Sequence, residues 1–531
     1  MVKSMDAAGT RRWWALIGLA LAVLVVGLDL TVLNLALPTL AADLNASTSD
    51  LQWFVDAYTL VLAAVLLPAG LLGDRYGRKK VLLISLVLFG VASVACAYSG
   101  SAGALIAARA LLGLGAAAIV PLSLSVLPVL FTPEERPRAI AAVTGAVFIS
   151  YPVGPILGGW LLDNFWWGSV FLINVPVVVI AIVAVAALMP ESRSEHRPRV
   201  DAAGIVFSSV GLTGLTYGVI KAGQDGWGDP IAVATMVSGV VVLAAFVAWE
   251  HRVSRSGQPL VDLTLFRSAS FTWGTILTTL VSFALFGLLF AMPLYFQDVR
   301  GLDALASGVR LLPMIGGMMA GLVVGDRLGS PPRGADGQPG GEPRVNAKIL
   351  VISGFGLIAA ALAMGALTSV HSSTGYAATW FAVTGLGLGM AMPAAMNAAL
   401  SALSAERSGS GSAVITAMRQ VGATIGVAVL GTVITSVYRS GLNVAALPGQ
   451  AADAVRKSVV SGVAIAQQAG SAALLDAVRT AFVHALDVML WICAGIALAA
   501  AVLALAFLPR RADGEQHVGE QAKTAARAQT G

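Results

Sequence analysis

The chain has 531 residues, 57% of them hydrophobic and 11% charged, with a formal net charge of +5 and a mean hydropathy of +0.83. Soluble domains carry roughly a quarter of their residues as charge and disordered chains are polar, so neither class fits. Two cysteines, Cys96 and Cys493, lie in apolar runs, which excludes a disulfide scaffold and reads them as packed thiols.

A bilayer span needs about 20 mostly apolar residues in a helix. Such runs are expected near 13–37, 53–73, 81–99, 104–130, 139–162 and 169–189, then near 204–220 and 231–250. A last group follows near 271–296, 307–325, 347–368, 377–403, 411–437 and 484–508. The runs are continuous rather than alternating, so helices and not a barrel cross the membrane. The chain is predicted to be an all-α integral membrane protein with fourteen spans in a six, two and six plan. Residues 1–190 form a first six-helix bundle and 191–268 two additional helices linking the halves. Residues 269–511 form a second six-helix bundle with a long external loop at 438–483 that has room for surface helices, and 512–531 a disordered cytoplasmic tail. The opening Lys3, Arg11 and Arg12 imitate a signal peptide, but the apolar run after them is long and holds Asp29, so a retained first helix is expected.

With the N-terminus inside, 24 of the 33 Lys and Arg fall in cytoplasmic segments. The short external segments 38–52, 100–103 and 163–168 hold none, and four external cations share the 438–483 loop. This asymmetry satisfies the positive-inside rule and puts both termini in the cytoplasm. Trp13, Trp14, Trp166, Trp167, Trp227 and Trp380 near span ends fit an interfacial aromatic belt.

Ionisable groups inside a span are costly and usually face a cavity. The first span holds Asp29 and Asn34, the second opens with Trp53-Phe-Val-Asp56-Ala-Tyr58, and the fourth holds Arg109. At about 1.5 Å per residue from the external ends, Asp29 is about 12 Å deep, and Asp56 and Arg109 about 5 to 10 Å. All three are expected in the outer half of the membrane around one cavity. Asp29 and Arg109 either pair structurally or form a titrating, cation-binding centre, since burial disfavours a charged carboxylate and a nearby guanidinium favours it.

Between the second and third spans stands Gly70-Leu-Leu-Gly-Asp74-Arg75-Tyr-Gly77-Arg78-Lys79-Lys80. Gly70 and Gly73 are read as points of close helix approach, and Asp74 as a partner for Arg75, Arg78 or a helix N-terminus. In the fifth span Ala142, Ala146, Ser150, Gly154 and Gly158 recur every fourth residue as a small-residue stripe, and Pro155 and Gly159 add a bending point. Ordinary tight packing would account for the stripe by itself.

These stretches resemble the major facilitator superfamily. The 70–80 loop has the form of its G-x-L-x-D-x-x-G-R-[RK] signature, and Gly321-Leu-Val-Val-Gly325-Asp326-Arg327 is a degraded echo that supports duplicated halves. The run Gly154-Pro155-Ile-Leu-Gly158-Gly159 resembles the mark of the antiporter branches. The runs around Asp29 and Asp56, and Phe171-Leu-Ile-Asn174-Val-Pro176, resemble the fourteen-helix drug:proton antiporter family, with Gly168 where an Arg is common. The resemblance implies two facing six-helix bundles with two extra helices. It also implies a loop at Gly70, Asp74, Arg75, Gly77 and Arg78 that stabilises one alternating-access state.

It further implies proton-driven export of amphipathic, cationic drugs, dyes, antiseptics or antibiotics, with Asp29, Asp56, Arg109, Asn34 and Tyr58 at the coupling and substrate site. A dedicated exporter of one natural product or lipid, or a non-transporting membrane sensor, are the alternatives. Arg419 in the thirteenth span has equal structural and functional readings. His484 and Asp487, at the expected start of the last span, form either an interfacial pair or a relay. No phosphate-binding GxxxxGK[ST] segment, metal-spaced cluster or nucleophile elbow is present in the sequence. No enzymatic activity, cofactor, metal or nucleic-acid partner is therefore expected, and a monomer in the cytoplasmic membrane is.

Overall fold

The computed structural model describes residues 2–132, 135–193, 201–255, 259–329, 345–370, 372–401, 403, 408–442 and 447–509. The expected tail at 512–531 and residues 194–200 and 330–344 lie outside these residues. The helices are α1 Val2–Asp43, α2 Thr48–Tyr76, α3 Arg78–Ala97, α4 Ala102–Leu130, α5 Arg136–Asn164, α6 Ser169–Leu172 and α7 Asn174–Leu188. The inserted pair is α8 Ala202–Asp225 and α9 Pro230–Val253. There follow α10 Ala269–Leu294, α11 Ala304–Gly329, α12 Ala347–Gly365, α13 Thr374–Leu400 and α14 Ser408–Gly441. The chain closes with α15 Gly449–Lys457, α16 Val459–Gln468 and α17 Ala472–Phe507.

Thirteen helices among the described residues are long and apolar enough to cross a membrane, and α5, 29 residues long, occupies the remaining expected span. Broad apolar exposure, as on α9 at Val237, Val240, Val241 and Val247, suits a lipid-facing surface. Polar residues mark the helix starts. Ser47 and Asp50 form a reciprocal capping box on α2, and Asp201, Asp229 and Asn346 accept from the third backbone N–H of α8, α9 and α12.

The chain forms two compact units, whose boundaries differ from the expected six, two and six division. The first comprises Met1–Leu260, Phe286–Arg310 and Thr424–Ala485, and the second Val261–Leu285, Leu311–Ala423 and Leu486–Gly531. Side-chain bonds inside the first unit tie together segments far apart in the sequence. Gln297 Nε2 donates to the Leu35 carbonyl at 2.9 Å, and Gln52 Nε2 to the Ala428 carbonyl at 3.0 Å. Asp163, at the end of α5, accepts from the Ala304 and Leu305 N–H groups at 3.2 and 3.1 Å, so it caps α11. In the second unit α11 and α13 approach at backbone distance, where Gly385 and Gly389 face the carbonyls of Met314 and Met318.

The segment expected as a long loop at 438–483 is largely helical. Its helix α14 continues to Gly441, α15 and α16 follow, and α17 already begins at Ala472. The α15–α16 hairpin is held by Tyr438 Oη donating to the Val455 carbonyl at 3.0 Å, and by Lys457 Nζ bonding the Asn45 carbonyl. As a consequence His484 and Asp487 lie about three and four turns inside α17, not at its start.

Candidate functional site

Four helices of the first unit converge on Arg109. Its Nη1 meets Asp29 Oδ2 at 2.5 Å, with both side chains 1% exposed. The guanidinium Nε donates to the Phe54 carbonyl at 2.9 Å, and its carbon lies 4.5 Å above the Tyr58 ring. Asn174 on α7 reaches Asp29 Oδ1 and Ser93 Oγ, each at 3.4 Å, with Nδ2 as the donor. Helix α4 can approach α2 this closely because Gly113 stands against the Tyr58 backbone, where a Cβ would come within 2.5 Å of the carbonyl oxygen. An Arg–carboxylate pair with further hydrogen bonds on both partners is the arrangement in which buried charge is tolerated.

Asp56 does not join this centre, contrary to the expectation of one shared cavity. At about 100° per residue, Phe54 and Tyr58 lie on one face of α2, and Gln52, Asp56 and Thr59 on the opposite one. That second face meets α14: beside the Gln52 bond, Thr424 Oγ1 donates to Thr59 Oγ1 at 2.8 Å. Asp56 is 0% exposed and neither carboxylate oxygen has a hydrogen-bond partner among the described residues. The Tyr58 hydroxyl likewise has none. Asn34 also stands apart: its Nδ2 donates back to the Leu30 carbonyl at 2.7 Å, and its Oδ1 has no partner.

In the 70–80 loop Asp74 pairs with Arg78, at 2.9 Å to Nε and 2.8 Å to Nη2, and Arg78 Nη1 reaches the Ser125 carbonyl at 3.0 Å. Arg75 lies over the Tyr76 ring instead. Gly77 turns the chain at φ +111°, a region that favours glycine. Gly73 fits against Leu122, whereas a Cβ added at Gly70 meets no atom within 4 Å among the described residues, so the close approach expected there is formed at Gly73. Glu191, which sequence reasoning passed over, accepts from the Lys79 and Lys80 N–H groups at 3.1 and 3.2 Å and so caps α3. In the echo, α11, α12 and α13 enclose a cleft of about 490 Å³ lined in part by Asp326, Arg327 and Asn397.

The fifth-span stripe packs on α1. Added side chains at Gly154 and Gly158 would strike Thr31 and Val32 respectively, and one at Gly159 would come within 2.5 Å of Leu305 Cα. Pro155 faces the other way, with its carbonyl against Gly308 on α11. In the second unit Arg419 Nε donates to Ser282 Oγ on α10 at 3.4 Å. His484 is exposed, and Asp487 is half-buried with an Oδ1 that lacks a partner among the described residues. Of the groups that were missed, Asn174 had a readable signal as a polar residue in an otherwise apolar span. The Phe54 carbonyl had none.

The Major Facilitator Superfamily model matches residues 19–427. The chain is 34% identical to the tetracenomycin C resistance and export protein of Streptomyces glaucescens, over 96% of this chain and 94% of that one. It is 35% identical to the multidrug efflux pump LfrA of Mycolicibacterium smegmatis, covering 94% and 97%. It is 31% identical to the methyl viologen resistance protein SmvA of Salmonella typhimurium, covering 90% and 95%. Among solved structures, a bacterial homologue of the lysosomal transporter Spinster matches with a TM-score of 0.66 at 16% identity, covering 94% of this chain and 99% of that one, which speaks to the fold. This integral membrane chain belongs to the major facilitator superfamily, within its fourteen-helix drug:proton antiporter family.

Proposed function

We propose that the protein is a proton-coupled antiporter that exports amphipathic, cationic drug-like molecules from the cytoplasm by alternating access. The observation that carries the reading is the contrast between two carboxylates that meet opposite faces of α2, Asp29 from α1 and Asp56 on α2 itself. Asp29 is charge-matched by Arg109, whereas Asp56 is enclosed with no partner among the described residues. An unpaired carboxylate in a dry interior is disfavoured until a cation or a proton joins it. That makes Asp56 the group at which a cationic substrate and a proton exclude each other, while Asp29 is held in its pair with Arg109 and Tyr58 lines that pair's centre.

Both termini lie in the cytoplasm, so the contacts of Asp163, Gln297 and Gln52 lie toward the external side. One proton moved down its gradient supplies about 1.4 kcal/mol per pH unit. Each net charge moved adds about 2.3 kcal/mol per 100 mV of potential. No cofactor takes part, and the protein carries rather than converts its substrate, as a monomer. Kinship with an export protein for tetracenomycin C favours, as a second reading, a single antibiotic as natural cargo. Proteoliposomes test the proposal: added substrate should release protons, and Asp56→Asn should suppress that release while the protein remains folded. Wild-type release by the variant would remove Asp56 from the coupling.

A further inference from the structure

The face of α2 turned away from Arg109 opens on a seam with two other helices. On the α14 side it is fixed by the bonds of Gln52 to Ala428 and of Thr424 to Thr59. The third wall is α8. Thr432 Oγ1 donates to the Val219 carbonyl at 3.0 Å, the Trp53 and Tyr217 rings lie 6.4 Å apart, and Val219, Ile220 and Ala428 form one apolar cluster packed by Trp53. One turn before Ile220, on the same side of α8, stands Thr216. Thr216 is 1% exposed and its hydroxyl has no partner among the described residues, as neither oxygen of Asp56 has. Beside the paired polar groups of Gln52, Thr59, Thr424 and Thr432, both helices thus bring to this seam oxygen atoms without a partner among the described residues, and those oxygens do not bond each other.

The charged groups of the surrounding helices are engaged elsewhere. Arg109 and Asp29 pair on the opposite face of α2, Lys221 meets Asp225 at 2.6 Å, and Arg439 is directed to the Arg456 and Gly223 carbonyls. Asp50 is taken up in the α2 cap. One carboxylate with neutral hydroxyls balances a single positive charge and is a poor match for a divalent ion, which draws on more oxygen ligands or retains water.

We propose that the seam of α2, α8 and α14 binds one small monovalent cation, a proton or Na⁺, with Asp56 as its charge partner and Thr216 as a neutral oxygen ligand. As a proton site, the Asp56 carboxyl donates to Thr216 Oγ1. As a Na⁺ site, both oxygens coordinate the ion. The inserted pair α8–α9 is then part of the coupling machinery and not a spacer between the halves. This rests on the reading of Asp56 as a cation-exchanging carboxylate, but its test needs no transport.

The purified full chain is melted across a pH series and in NaCl against choline chloride, as wild type, Asp56→Asn, Thr216→Val and Thr216→Ser. Wild type is expected to be stabilised by one of the two cations, acid or Na⁺, and which one acts identifies the ligand. That stabilisation should be lost in Asp56→Asn and Thr216→Val and kept in Thr216→Ser. Thr216→Ala serves if the valine variant does not fold. Unaltered stabilisation in Thr216→Val or Thr216→Ala overturns the role of α8, and a folded wild type indifferent to both cations overturns the site. Stabilisation without any efflux would count against the antiport reading and leave the site standing.

Discussion

At the scale of single residues, the two buried carboxylates should respond in opposite ways to neutralisation. Removing one partner of a buried ion pair leaves an uncompensated charge, so Arg109→Ala should cost about 3–5 kcal/mol of stability. Asp29→Ala should do the same, and the double variant should cost less than the sum, which a thermal-unfolding cycle measures. Asp56→Asn removes a charge that has no partner, so its melting temperature should equal or exceed that of wild type even as coupling falls. These three residues were legible because Asp29, Asp56 and Arg109 interrupt apolar runs, where an ionisable group needs a reason to be. Their grouping was not. Depth along the membrane places all three at similar levels, whereas rotation around α2 decides which faces Arg109. Position 54 contributes a backbone carbonyl that no side-chain pattern reveals.

At the scale of helices, small residues matter where another helix touches them. Gly154→Val and Gly158→Val place methyl groups onto Thr31 and Val32, an overpacking expected to cost about 1–3 kcal/mol. Either change should slow efflux per folded molecule, measured as dye transport normalised to protein in the membrane. By contrast Gly70→Ala meets open space and should be silent in the same assay, while Gly77→Ala is strained at φ +111°. Asp163→Ala removes the acceptor of the first two N–H groups of α11 and leaves Asp303 holding the Ala306 N–H, a loss of about 1 kcal/mol where that contact is formed. Its signature is easier proteolysis or labelling at the start of α11. Spacing in the sequence identified the fifth-span stripe, but it could not separate Gly70 from Gly73. That difference lies in Leu122 on α4, which fills the space beside one and not the other. The helical hairpin α15–α16 falls in the external segment where the sequence leaves room for surface helices, but its short helices stand by their bonds to Tyr438 and Asn45, which no local pattern reveals.

At the scale of the whole molecule, hydropathy alone marked the spans, since a chain with 11% charge has nowhere to place its apolar surface but lipid. The six, two and six division followed from the order of the apolar runs. The compact units follow from side-chain bonds such as Gln297 to Leu35 and Asp163 to α11, which no linker announces. An antiporter of this plan should lose dye efflux when an uncoupler collapses the proton gradient, whereas a membrane sensor moves no dye at any gradient. The most direct measurement is substrate-induced proton release from proteoliposomes under an imposed pH gradient, compared between wild type and Asp56→Asn. The account predicts release on substrate addition by wild type and its suppression in the folded variant. Release that is equal in both, or substrate export with no proton movement at all, would contradict it.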